Sequence, residues 1–98
     1  MGTKKTDRPI LYKIYKYTSP SNKVYIGQTC RSLAQRANFG QGYIHSNYFY
    51  NAIQKYGFEN FKVEILKDKL TLEEANYWEE YFIKLYNSNI REFGYNID

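Results

Sequence analysis

Side chains alternate with a period of two from Ile10 to Thr18: Ile10, Tyr12 and Ile14 share one face, and Tyr15 and Tyr17 the other. Ser19-Pro20-Ser21-Asn22 then supplies turn residues, and Lys23 to Gln28 reads as the returning strand of a hairpin. If Val24 and Ile26 join the Ile14 face, Tyr15 and Tyr25 fall together on the opposite one. Ser32-x-x-Gln35 forms a capping box that predicts a short helix through about Phe39, broken by Gly40-Gln41-Gly42. A second helix is predicted from Ser46 or Asn47 to Tyr56, with Gly57 as its left-handed stop. Phe61, Val63 and Ile65 alternate with Lys62 and Glu64, which gives a third strand. Thr71-Leu72-Glu73-Glu74 is a second capping box, opening a long helix to about Asn87. The tail Gly94-Tyr95-Asn96-Ile97 reads as short and extended. With no repeat, linker or low-complexity segment, the economical reading is a polar arm over residues 1–9 and one α+β domain over 10–98.

The last helix carries an anomaly. At about 100° per residue, Leu72, Ala75, Trp78, Phe82, Ile83, Leu85 and Tyr86 form one apolar arc, and Glu73, Glu80 and Lys84 face solvent. Glu79 projects from within the arc, between Ala75 and Ile83. A carboxylate there must be paired, protonated or bound to a cation, because an isolated buried charge costs several kcal/mol or more. An ordinary salt bridge to an arginine or lysine is the plain alternative to a functional role.

Composition narrows the setting. The 98 residues leave room for one modest core, and a hydrophobic share of 43% is ordinary for a folded chain. Tyrosine, with 12 copies, dominates an aromatic share of 19%, so many rings must be simple packing. The formal charge of +4 favours a polyanionic partner and is equally compatible with a merely basic domain. Cys30 is the only cysteine, which excludes an internal disulfide and a cysteine-based zinc site. No apolar run approaches membrane-spanning length and no signal-type stretch follows Met1, so a cytoplasmic protein without a membrane partner is expected.

Lys13-Ile14-Tyr15, followed after nine residues by Tyr25-Ile26-Gly27, resembles the paired signature of the GIY-YIG endonucleases. Gly27-Gln28-Thr29, then Ser32-Leu33-Ala34-Gln35-Arg36, is similar to the family's approach to its helix-borne arginine. The segment from Ala52 to Phe61 resembles the middle of many phage-type members. Glu79 stands where the family carries its metal-binding glutamate, and Gly94-Tyr95-Asn96 matches its terminal motif. The ordered set from Tyr15 to Asn96 is what makes the likeness specific. The chain departs from the pattern at Lys13, which replaces a glycine, at Ala37, where an aromatic is common, and at Gly40, where histidine or tyrosine is frequent. Tyr43 or His45 would supply that hydroxyl or imidazole from the following loop.

The resemblance implies a small three-stranded antiparallel sheet flanked by helices and a metal-dependent cleavage of double-stranded DNA, leaving 5′-phosphate and 3′-hydroxyl ends. Glu79 would hold one Mg²⁺ or Mn²⁺, a hard cation content with few protein ligands. Arg36 would offer its fork of donors to the phosphate. Tyr15 or Tyr25 would take the water's proton, Tyr15 slightly preferred, its pKa lowered by nearby cationic charge. Gly27 would let the backbone pass close to substrate, and Asn96 would brace the site or touch phosphate. A monomer or weak dimer is expected. The rival reading is a non-catalytic nucleic-acid-binding module that retains the nuclease fold.

Overall fold

A computed structural model describes residues 9–97. Residues 1–8 of the expected polar arm, and Asp98, lie outside the described residues. Strand β1 (Tyr12–Thr18) turns through Ser19–Asn22 into β2 (Val24–Thr29), and the two pair antiparallel with Tyr15 opposite Gly27 and Tyr17 opposite Tyr25. The turn closes through Asn22 in the left-handed region (φ 67°) and its N–H bonded to the Ser19 carbonyl. Strand β3 (Lys62–Leu70) pairs antiparallel with the other side of β1, giving the order β2-β1-β3. It runs five residues beyond the Phe61–Ile65 alternation, and two register irregularities near Ile14 fit its nine residues against the seven of β1.

Three helices cover the sheet's two faces. Helix α1 (Leu33–Ala37) starts at the Ser32–Gln35 capping box and ends two residues earlier than expected, because Asn38 and Phe39 turn left-handed at φ 45° and 57°. A 3₁₀ segment, Asn38–Tyr43, leads to helix α2 (Asn47–Tyr56), which Gly57 stops at φ 87°. Helix α3 (Leu72–Tyr86) opens on the Thr71–Glu74 capping box.

Alternation along β1 and β2 divides the interior into two cores. Tyr15, Tyr17 and Tyr25 meet Tyr43, Phe49, Ile53 and Phe61 beneath α1 and α2, while Ile14, Val24 and Ile26 meet Leu70 and Ala75 beneath α3. The predicted apolar arc of α3 is only partly covered: Leu72 and Leu85 remain 51% and 55% exposed, since the sheet reaches only the strip around Ala75. The tail runs along the free edge of β2, where Val24 and Gly94 form a parallel bridge. No helix of the described residues is long and apolar enough to cross a membrane.

Candidate active site

Tyr15 sits in the middle of the central strand, 1% exposed, with its ring lying across Gly27 on β2. A Cβ at Gly27 would come within 2.3 Å of the Tyr15 hydroxyl. Gly27 therefore makes room for a tyrosine of its own sheet, where the resemblance implied a close approach of the backbone to substrate. Tyr43, also 1% exposed, donates a 2.9 Å hydrogen bond to the Tyr15 hydroxyl. The loop after α1 thus brings the Tyr43 hydroxyl to Tyr15. His45 is exposed, makes no side-chain hydrogen bond among the described residues and is not brought to this cluster.

Arg36 lies in the last turn of α1, half-buried. Its guanidinium stacks 4.3 Å from the Tyr43 ring centre, and Nη1 donates to the Gly42 carbonyl. The left-handed residues Asn38 to Gly40 reverse the chain so that Gly42 and Tyr43 come back onto the arginine that precedes them. One N–H of the five is committed to Gly42, and the rest of the fork remains for an anion. Tyr25, half-buried, stacks on Phe49 at 4.1 Å and meets Tyr43 edge-on at 5.5 Å.

Burial, reinforced by the neighbouring Tyr25 hydroxyl, pushes the Tyr15 phenol well above its ordinary range, and Arg36 and the Tyr43 hydrogen bond only partly offset this. Burial pushes Tyr43 further up still. The expectation that cationic charge leaves Tyr15 easier to ionise is therefore corrected: desolvation outweighs the arginine, and both phenols stay protonated.

Glu79 lies half-buried on α3 and has no ion-pair partner among the described residues. Among the described residues its hydrogen-bond donor is the Gln28 side chain, whose Nε2 donates to the carboxylate at 2.8 Å and to Asn76 Oδ1 at 2.8 Å. Desolvation raises the Glu79 pKa, and the Gln28 hydrogen bond counters only part of that. Gln28 follows Gly27 in β2 and points to the opposite face, so Glu79 and the tyrosine–arginine cluster flank consecutive residues of one edge strand. Sequence reasoning missed Gln28. The available signal was parity, which puts it on the Ile26 face toward α3.

Asn96 takes a bracing position. Its Oδ1 accepts from the Ile26 N–H and its Nδ2 donates to the Ile26 carbonyl, both at 2.8 Å, so the side-chain amide continues the edge pairing begun by Gly94. Both bonds go to the backbone of β2, which occupies the side chain expected to meet substrate. By alternation the next outward-facing peptide groups of β2 are those of Gln28. A larger cavity, about 400 Å³, opens between α1 and β3, but its lining is apolar apart from Glu59 and Tyr17 and includes no predicted site residue.

The donor chemistry also tests the expected metal. Among the described residues no three His, Cys, Asp or Glu side chains gather into a metal-binding group. A partly desolvated carboxylate without an ion pair among the described residues, with Gln28 Oε1 beside it also without a hydrogen-bond partner among them, fits a hard cation that keeps most of its waters.

An arginine fork, clustered phenols and a lone carboxylate at one edge of a small sheet are the equipment of a phosphodiester hydrolase. The family model described as the GIY-YIG catalytic domain matches residues 11–96, and the chain belongs to this family of nucleases, which act on DNA. No curated protein and no solved structure gave a significant match.

Proposed function

We propose that this chain is an endonuclease that hydrolyses phosphodiester bonds of double-stranded DNA with one divalent cation, Mg²⁺ or Mn²⁺, leaving 5′-phosphate and 3′-hydroxyl ends. The observation that carries the reading is Glu79: a partly desolvated carboxylate with no cationic partner among the described residues, held by Gln28 one position from Gly27. Among the described residues, no arginine or lysine makes the salt bridge that was the plain alternative.

Glu79, with Gln28 beside it, would hold the cation, which when bound supplies Lewis acidity to the phosphoryl and leaving oxygens. Arg36 binds the phosphate with the part of its fork that Gly42 leaves open. Tyr43 and Tyr15 remain neutral. Because Tyr43 donates to Tyr15, the Tyr15 proton is directed onward as a hydrogen-bond donor and does not leave a base behind. Contact with the attacking water then falls to Tyr25, the half-buried member of the motif pair. Asn96 keeps β2 in register beneath both halves.

Incubation of supercoiled plasmid with Mg²⁺, with Mn²⁺ and with EDTA tests this. Nicking with metal, abolished by EDTA and by Glu79→Gln, is expected. Binding without nicking under every metal condition would instead establish the non-catalytic module.

A further inference from the structure

At the other end of β2 from Gly27, the hairpin turn and helix α2 enclose a cavity of about 260 Å³ that the site above does not use. Its polar walls are donors. Lys23 enters from the turn and Lys55 from α2, with the Asn51 carboxamide and the Ser21 hydroxyl beside them, over a floor of Ala52 and Tyr95. Among the described residues, no carboxylate lines it.

The cations are held by rings. Lys23 Nζ donates to the Tyr48 hydroxyl at 3.0 Å and lies 5.4 Å from that ring's centre. The Arg91 guanidinium lies 5.3 Å from the same ring, and Lys55 Nζ 5.2 Å from the Tyr56 ring. None of the three is in an ion pair among the described residues, where the ion pairs are Lys16–Glu64 and Lys84–Glu80. The Tyr56 phenol is drawn below its ordinary pKa by a Ser21 hydrogen bond first and by the charges of Lys55 and Lys23 after it. Uncompensated ammoniums, neutral donors and an apolar floor suit an oxyanion carried on a less polar body, as a phosphate is on a sugar.

Lys23, Tyr25 and Gly27 share one face of the sheet, and at about 3.3 Å per residue the four steps from Lys23 to Gly27 span roughly 13 Å. The phosphates of a DNA strand are spaced closely enough that this span separates two non-adjacent contacts on one backbone. We propose that the cavity between the hairpin turn and α2 is a second phosphate-binding site, which holds the DNA backbone a short way along the strand from the scissile bond. This rests on DNA being the substrate, as argued above.

The test uses Glu79→Gln as background, so that binding is read without cleavage. Affinity for a 16-base-pair duplex is measured across salt concentrations for Lys23→Gln with Lys55→Gln, and for Lys62→Gln with Lys69→Gln, which removes the same charge from β3. Losing two phosphate contacts should lower the salt slope by about 1.8, with the β3 pair changing it far less. Lys55→Gln alone, at an exposed position that folding does not depend on, should give about half the effect. An unchanged slope, or equal loss from the β3 pair, overturns the proposal. In parallel, amide shifts of Lys23, Asn51 and Lys55 are followed with inorganic phosphate and with the duplex. Saturation by phosphate that the duplex does not displace would assign the cavity to a free anion and overturn the DNA assignment. Failure of the nuclease reading would show separately, as a Glu79-containing protein that binds DNA with the same slope and never nicks it.

Discussion

Arg36 is fixed before any phosphate arrives: its guanidinium lies on the Tyr43 ring and one N–H is tied to Gly42. A donor set already in position need not reorganise as charge develops, which is the source of the catalytic value proposed for it. Arg36→Ala should lower the plasmid-nicking rate on the order of 10²-fold or more with little loss of melting temperature, and Arg36→Lys should rescue poorly, because an ammonium cannot reproduce the planar fork. Wild-type nicking by the alanine variant would place the active site elsewhere. Glu79 makes the complementary case, a charge the apo protein bears at a cost. Its folded pKa lies above the ordinary 4.5, so the folded state holds this proton longer than the unfolded state does. The stabilising contribution is therefore full below pH 4.5 and is lost as pH rises through the folded value. At neutral pH, Glu79→Gln should melt at or above the wild-type temperature, keep the Gln28 hydrogen bond and lose that part of the pH dependence. Mn²⁺ should raise the wild-type melting temperature and leave the variant's unmoved. A destabilised Glu79→Gln that still nicks DNA at the wild-type rate would refute the metal-ligand role.

At the scale of the elements, the Tyr15–Gly27 pair shows how strand register builds the site. The two residues are direct partners in the β1–β2 ladder, and the absent side chain of one is the space that the other's ring fills. Gly27→Ala should displace that ring, break its hydrogen bond with Tyr43 and destabilise by about 1–3 kcal/mol, measured by denaturant melts. If Gly27→Ala matches wild type in both stability and nicking, the close approach is not what the glycine is for. The hairpin, both capping boxes and the division of Tyr15 and Tyr25 from Ile14 and Ile26 were readable from the chain, because caps and alternation are local. The path from Asn38 to Tyr43 was not: Phe39 holds φ 57° while 90% exposed, a conformation that no hydrophobic period encodes. Nor was the hold of Asn96 on Ile26, which joins positions 70 residues apart through one amide. Gln28 carries no charge and stood in the Gly27-Gln28-Thr29 segment without a role of its own, so only its parity marked it as facing α3. The arc on α3 was read too broadly because helical periodicity says which side is apolar, not how far a three-stranded sheet extends beneath it.

On the scale of the whole molecule, the sheet separates two chemistries, with tyrosines, arginine and the 3₁₀ segment on one face and α3 with its carboxylate on the other. The edge strand β2 is common to both, and the tail covers that edge only as far as Ile26. A DNA strand laid along β2 would meet Arg36 and Glu79 near one end and Lys23 near the other. The contacts so proposed would be to the sugar–phosphate backbone, which positions a protein on DNA and carries no base sequence. Among the described residues, no helix stands clear of the fold to enter a groove: α1 spans five residues, and α2 and α3 are each packed on the sheet. The net charge of +4 is modest, so the electrostatic attraction should be weak as well as unselective. Glu79→Gln protein should therefore bind two duplexes of unrelated sequence with nearly equal affinity. That affinity should fall steeply from low to moderate salt, as counterion release from phosphate contacts requires. Fluorescence anisotropy over a salt series measures both quantities together. A strong preference for one duplex that persists with a flat salt slope would mean that base edges are being read, and that a recognition surface exists which this chain's backbone-directed groups do not supply.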